Sequence, residues 1–415
     1  MYVTDQDVFT NGVVELRTSL PPLDLLRLLK QTETLIGREK TFRNGPRVID
    51  LDLILYGDEI VNIGTPGDAP DVDGVGWLTV PHASVAEREF VLRPLADIAP
   101  DLVHPGLGES VSSLLAKVAP GGLAPIVPFP APAKPLRLSL PANPAIMAIF
   151  NATPDSFSDG AAERTRADTA MSRVQATLAS NPAILDIGGM STRPGSQPCT
   201  EAEELDRVVP LITALRASGS SVPISVDTYR ASVAAAAMQA GASCINDVRG
   251  GREEGMLAAM AAADAPVILM HSRGDSVSMT TKDEQVYPSG VVDGVASELL
   301  ARVQEAIGAG VKRWDIVLDP GLGFAKNYAQ NLVLLQQLPL LADKLHGFPL
   351  LIGASRKGFV GAATGIKDAA ARYPGDAVVN ALCASSGVVH VLRVHQPQEA
   401  GESVRMALAI RDAKE

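Results

Sequence analysis

The sequence predicts an α/β protein: a C-terminal (β/α)8 TIM barrel preceded by a smaller, partial α+β module. Three features carry this reading. Eight short β-type runs alternate with helix-type stretches beyond residue 144, a Pro- and Ala-rich segment interrupts the chain at 119–143, and the part before it has too few strand signals for a sheet of its own. Strand then helix, repeated, implies parallel strands with helical crossovers. About 270 residues remain after the interruption, the usual size of a closed barrel. An open doubly wound sheet is the lesser alternative.

The N-terminal part, 1–118, offers strand-like "GVVELRTSL", a helix in "PLDLLRLLKQTETLIG", strand-like "RVIDLDLILYG" and strand-like "REFVLRPLADIAP". Asp50 and Asp52 stand two apart in the third of these, so an extended chain points both carboxylates to one face. Ionised carboxylates in an apolar run need a cation or donors. Residues 119–143 read as an inter-domain linker from their Pro and Ala content.

Over 144–415 the β-type runs are "IMAIFNAT", "AILDIGG", "PISVDTY", "CINDV", "PVILMH", "DIVLDPG", "PLLIGAS" and "VVHVLRVH". Amphipathic segments such as "EAEELDRVVPLITALRAS" and "VASELLARVQEAIGAG" separate them. Polar residues gather at the C-terminal ends of the runs: Asn151, Asp186, Asp227, Asn246, Asp247, His271, Asp319, Ser355, Arg356, Arg393 and His395. In a barrel that rim forms the active site. Helix N-capping accounts for one or two such residues, not for the set.

Composition narrows the function. At 415 residues two domains are expected. The 46% hydrophobic and 20% charged content is that of a globular protein. A net charge of −11 gives no basic footprint for nucleic acid, and no apolar run reaches the roughly 20 residues of a membrane span. Cys199, Cys244 and Cys383 have neither metal-ligand spacing nor a disulfide framework, which fits a reducing compartment. No signal peptide is visible in "MYVTDQDVFTNGVVEL". Cytoplasm and mitochondrion both stay open, because any targeting segment would lie upstream of "MYVTDQDVFTN".

The rim segments suggest chemistry. Carboxylates and amides at Asp227, Asn246 and Asp319 suit a flat heterocycle rich in N–H donors. "STRPGS" after Gly188 and Gly189 offers Ser, Thr and Arg to oxyanions. "GASRKGF" and "LRVH" bring Arg, Lys and His to the exits of the seventh and eighth strands, where barrels often hold phosphate. No Ser/His/Asp or Cys/His nucleophile arrangement occurs.

In order, "NATPDSFSDG", "GGMSTRPGS", "SVDTY", "INDV", "LMHSRG", "DPGLGF", "GASRKGF" and "RVH" resemble dihydropteroate synthase, over essentially all of 144–415. The resemblance implies a pterin-binding barrel that condenses 6-hydroxymethyl-7,8-dihydropterin diphosphate with p-aminobenzoate, giving dihydropteroate and pyrophosphate. It implies that Asp227, Asn246, Asp319 and Lys357 hold the pterin. Asn151, Thr192, Arg193, Arg393 and His395 would bind the diphosphate, with Asn151 also touching Mg²⁺. Phe324, Ser355 and Lys357 would place p-aminobenzoate, and Asp227, Lys357, Arg393 and His395 would be the catalytic set. Sulfonamide-type analogues are expected to compete, and a homodimer is expected. Ala161 stands where a second Gly is usual and Met190 where a Glu is usual, both in substrate loops; "AIFNAT" resembles fungal versions.

"TNGVVELRTSL", "GREKTFRNGPRVIDLDLILYG" and "LTVPHASVAEREFVLRPLADIAPDLVHP" resemble hydroxymethyldihydropterin pyrophosphokinase, a ferredoxin-like fold. By that resemblance Asp50 and Asp52 ligate the two Mg²⁺ ions that bridge ATP's phosphates. Arg38, Arg47, His82 and Arg88 would meet the triphosphate, and Phe9, Asn11 and Phe90 the pterin. The family's first strand and pterin loop belong upstream of "DQDVFTN", so an impaired kinase module is expected, with ATP a co-substrate only if the module works. The alternatives are a fully bifunctional enzyme, a corrinoid methyltransferase on the same barrel, which "RKGF" and "RVH" disfavour, and a non-catalytic pterin-binding protein.

Overall fold

A computed structural model describes residues 9–38, 48–65, 75–121, 123, 125–131, 134–137, 141–152, 163–190, 199–275 and 278–414. The chain forms two compact units, Met1–Leu123 and Ala124–Glu415.

The first unit contains α1 (Pro22–Leu35), an antiparallel pair β1 (Val61–Ile63) and β2 (Leu78–Val80), α2 (Glu89–Ile98) and α3 (Val111–Lys117). Two small clusters hold it: Leu26, Val75, Leu78 and Val80, and Val85, Leu92, Leu95, Val111 and Leu114. Three strand expectations are corrected here. "REFVLRPLADIAP" is helical, because Leu92 and Leu95 recur at helical spacing and both are buried; a short apolar run cannot be told from a strand by pattern alone. "GVVELRTSL" lies in no strand, and its Val14 and Leu16 are exposed. The described part of "RVIDLDLILYG" is extended but joins no ladder. It is tied instead by Leu51 N donating to Glu33 Oε1 (2.6 Å), Lys30 donating to Leu51 O (2.8 Å) and His82 N donating to Ile54 O (2.9 Å).

The second unit opens with the hairpin β3 (Ile126–Ala131) and β4 (Lys134–Arg137). The expected linker therefore contains an ordered element belonging to the barrel unit. Phe129 is fully buried, and with Val127 it packs on Met147, Ile184, Cys244, Ile268, Val317, Leu351 and Val391. Those seven lie in the N-terminal halves of seven barrel strands, so the hairpin stoppers the barrel floor. The prolines that suggest a linker are tolerated because a two-stranded ribbon has free edges.

The barrel strands are β5 (Ala145–Asn151), β6 (Ile184–Gly188), β7 (Ile224–Asp227), β8 (Cys244–Asp247), β9 (Val267–Met270), β10 (Ile316–Asp319), β11 (Leu351–Ile352) and β12 (Val391–Val394). Their order is β10-β9-β8-β7-β6-β5-β12-β11, parallel throughout. A bridge between Leu318 and Leu350, with Leu318 N donating to Pro349 O at 2.9 Å, closes the ring. Around it run α4 (Glu163–Leu178), α5 (Glu201–Ala217), α6 (Ala231–Gln239), α7 (Met256–Ala263), α8 (Val291–Gly308), α9 (Tyr328–Gln336), α10 (Leu338–Lys344), α11 (Gly358–Thr364), α12 (Tyr373–Ser386) and α13 (Pro397–Arg411).

Strand parity turns this floor into a site. Side chains two apart share a face, so each floor residue has its mouth-ward neighbour at i+2: Ile184 gives Asp186, Cys244 gives Asn246, Val317 gives Asp319, Leu351 gives Gly353, and Val391 gives Arg393. Met147 leads by two steps to Asn151. Register then sets Gly188 opposite Asp227 and Asp227 opposite Asn246.

Candidate active site

The centre of the mouth is a buried ion cluster. Arg393 donates from Nε to Asp186 Oδ2 (2.6 Å) and from Nη2 to Asp227 Oδ2 (2.5 Å), while Asn246 Nδ2 donates to Asp186 Oδ2 at 3.3 Å. Asp186 is fully buried and Asp227 nearly so. Two carboxylates share one guanidinium, so one of them carries its charge poorly. Burial pushes Asp227 up to about 7, with Arg393 pulling down and Asp186 pushing up. Burial alone would lower Arg393; Asp186 and Asp227 outweigh it and raise its pKa. Asp227 Oδ1 is buried with no hydrogen-bond partner among the described residues. An orphaned buried acceptor is costly, so this oxygen is poised for an N–H donor of a ligand.

Beside it, Asp319 takes Gly321 N on Oδ1 (2.7 Å), and burial raises its pKa against the pull of Lys357. Burial lowers Lys357 to about 8, with Asp319 opposing. Lys357 lies 4.8 Å from the Phe324 ring centroid and donates to Leu322 O. The turn carrying Phe324 is left-handed at Gly321 (φ 65°), Gly323 (φ 79°) and Ala325 (φ 49°). A Cβ on Gly321 would lie 1.9 Å from His271 O, so only glycine fits there.

At the exits of β11 and β12, Ser355 Oγ is 3.1 Å from His395 Nδ1 and 3.2 Å from Asp376 Oδ2. Asp376 also accepts from Arg356 N (3.0 Å), and Arg356 sits in left-handed backbone (φ 62°). A cavity of about 430 Å³ is lined by Asn151, Arg173, Arg356 and His395, with Phe150 and Thr177. Its cationic lining suits an anion.

The structure thus brings together Asp227, Asn246, Asp319, Lys357, Phe324 and Arg393, and separately Asn151, Ser355 and His395. Thr192 and Arg193 lie outside the described residues. Sequence reasoning treated Asp186 as a rim residue only, yet it anchors Arg393; its position two residues beyond a floor residue was the available signal. Arg173 and Asp376 carried none, since each lies on a helix distant in sequence from its partners; Lys326 stands just beyond the sixth β-type run, in "VLDPGLGFAKN", but its partners were not readable.

In the first unit, Arg38 Nη1 meets Asp50 Oδ1 at 2.6 Å, and Lys30 Nζ lies 3.8 Å from both Asp50 Oδ1 and Asp52 Oδ1. One ammonium equidistant from both carboxylates means that they converge on a point a cation can fill, so the pair fits a divalent ion held jointly with phosphates. Asn151 offers a single neutral oxygen, which suits an ion held mainly by diphosphate and water. Among the described residues no group of three or more His, Cys, Asp or Glu could hold a metal unaided. Arg88 lies 5.7 Å from the Phe90 ring centroid, His82 Nδ1 accepts from Ser84 N (3.1 Å), and Phe9 and Asn11 are exposed. Arg47 lies outside the described residues.

A closed parallel (β/α)8 barrel with a buried ion cluster at its mouth and a cation-lined cavity is the architecture of a TIM-barrel enzyme. Residues 147–395 match the profile of the pterin binding enzymes, and residues 1–100 match that of 7,8-dihydro-6-hydroxymethylpterin-pyrophosphokinase. The chain belongs to the pterin binding enzyme family, in the two-module arrangement of the bifunctional folate synthesis proteins. A folic acid synthesis protein of Schizosaccharomyces pombe is 40% identical over 99% of this chain, which spans 53% of that protein. An Arabidopsis thaliana folate synthesis bifunctional protein is 34% identical over 99% of this chain and 87% of its own length. A solved dihydropteroate synthase of Xanthomonas albilineans with 4-aminobenzoic acid matches at TM-score 0.62 and 35% identity, covering 70% of this chain and 100% of that one. The chain spans about half the length of its fungal relative.

Proposed function

We propose that the barrel unit, with its functional residues in 144–415, is a dihydropteroate synthase acting on 6-hydroxymethyl-7,8-dihydropterin diphosphate and p-aminobenzoate. The observation that carries this is the Asp186–Arg393–Asp227 cluster with the orphaned Asp227 Oδ1. Asp227, Asn246 and Asp319 would read the pterin's N–H edge. Arg393, His395 and Asn151, with Thr192 and Arg193, would take the diphosphate. Positive groups at the departing oxygen stabilise the charge that develops there. Magnesium, when bound beside Asn151, would neutralise part of that charge. The bond from the pterin methylene to the diphosphate oxygen breaks, the electron pair leaves with pyrophosphate, and the ring delocalises the cation, whose charge Asp227 nearby would help offset. The amine nitrogen of p-aminobenzoate then bonds to the methylene and loses its proton. Lys357 and Phe324 would flank that amine's ring, and Ser355 its carboxylate end. Sulfonamides bearing the same aryl amine would compete.

For the first unit we infer a weak pyrophosphokinase, with ATP and Mg²⁺ its expected co-substrate and metal. The segment bearing its acidic pair joins no ladder among the described residues. Val378, Leu382, Met406 and Ile410, exposed on α12 and α13, support pairing of two barrels, which sedimentation would test. No helix among the described residues is long and apolar enough to cross a membrane; cytoplasm and mitochondrion are the compartments we propose. The purified chain is to be assayed for each step separately. Condensation of pre-formed pterin diphosphate with p-aminobenzoate is expected, with ATP-dependent diphosphorylation of the pterin alcohol near background. Robust diphosphorylation would overturn the second inference alone.

A further inference from the structure

Lys326 is buried and has no place in the chemistry above. Its ammonium donates to Gly321 O (3.0 Å) and Phe324 O (2.8 Å), and its nitrogen lies 2.9 Å from His271 Nδ1. Three hydrogens meet three acceptors, so a protonated lysine is fully satisfied there. Burial pulls its pKa well down, with Asp319 opposing; the complete set of acceptors favours the charged form. His271 is held neutral, since burial and Lys326 lower it to about 3. With Nδ1 accepting, its Nε2–H donates to Glu298 Oε2 (3.1 Å), and Arg273 Nε donates to the same oxygen (3.0 Å). The third acceptor is thereby fixed in tautomer and orientation.

Around the turn almost every backbone oxygen is claimed. Gly321 O and Phe324 O go to Lys326, Leu322 O to Lys357, Ala325 O to the Tyr287 hydroxyl (3.1 Å) and Lys326 O to Asn331 Nδ2 (3.3 Å). The two glycines adopt left-handed backbone at little cost, but Ala325 (φ 49°) holds it only because its surroundings over-determine it. Among the described residues Lys326 is the side chain that donates to both Gly321 O and Phe324 O, while Asn331 Oδ1 takes Gly323 N (2.6 Å).

We infer that Lys326 is a positioning residue for the aryl-amine half of the site, pinning the 321–325 turn so that Phe324 faces Lys357 and Leu322 O receives its ammonium. This rests on the proposed condensation. Lys326→Met removes all three bonds and is expected to raise KM for p-aminobenzoate roughly tenfold or more. KM for the pterin diphosphate should move less than about threefold, since Asp227 and Asn246 lie on other strands and Asp319, though it accepts from Gly321 N, is held on β10 itself. Lys326→Gln keeps two N–H donors, so it should recover much of the p-aminobenzoate KM. An unchanged p-aminobenzoate KM in the methionine variant, equal values for Met and Gln, or parallel rises for both substrates would overturn the inference. If the methionine variant does not fold, the glutamine variant decides: a selective rise in p-aminobenzoate KM supports pinning, and wild-type values overturn it. A wild-type chain that condenses nothing would sink the functional reading, and this inference with it.

Discussion

Asp227→Asn should make the protein more stable and less active, and the stability gain should grow with pH. Burial moves the Asp227 carboxyl from 3.8 to about 7, with the attraction of Arg393 already contained in that position. Below about pH 4 both folded and unfolded chains hold the proton, and no penalty arises. Between about pH 4 and 7 the unfolded chain has released it while the folded chain retains it, so stability falls as pH rises through that window. Above about pH 7 the loss levels off near 4 kcal/mol, taking 1.36 kcal/mol per pKa step. At pH 5 only a minor part of that loss has developed. Asparagine cannot ionise, so the variant's advantage over wild type should be larger at pH 8 than at pH 5 by about 2–3 kcal/mol. Urea unfolding followed by Trp314 fluorescence, in a background where Trp77 is Phe, isolates the barrel, since the chain has two tryptophans. Condensation should drop by about 100-fold or more, as the amide cannot balance a developing cation. A stability difference that does not change with pH, or a variant less stable at pH 8, would refute the burial argument.

Arg393→Met should abolish condensation and destabilise the barrel by about 3–5 kcal/mol, because Asp186 and Asp227 lose their shared cation; urea unfolding and pyrophosphate release check the two halves. Phe129→Ala should cost about 3–5 kcal/mol through the emptied floor, yet leave both KM values unchanged, since the floor lies opposite the mouth. A shift in either KM would show that the hairpin reaches the site.

The barrel was legible because eight β-type runs alternate with helix-type stretches and most end in polar residues; in four strands the apolar floor residue and polar mouth residue stand two apart, as in Ile184 and Asp186 or Val391 and Arg393. Those run ends include nearly all the central cluster. Other elements were hidden for identifiable reasons. The 126–137 hairpin was masked by its prolines, although Val127 and Phe129 alternate as a buried strand face does. The helix at 89–98 carries Pro94 and a short apolar run, which leaves the period ambiguous. Lys326 was visible in "VLDPGLGFAKN", but not its role, because its partners, two backbone carbonyls and His271, are set by the turn and not by spacing. In "RVIDLDLILYG" the pairing of Asp50 with Asp52 was readable, but not the cations, since Lys30 and Arg38 come from α1 and the chain just beyond it.

The central claim is that this mouth joins a pterin diphosphate to an aryl amine. The most direct measurement is pyrophosphate release by the purified chain, given pre-formed pterin diphosphate, Mg²⁺ and p-aminobenzoate without ATP. The account predicts release that requires both substrates, matches dihydropteroate formed and disappears in Asp227→Asn. Release independent of p-aminobenzoate, or full activity in Asp227→Asn, would contradict it.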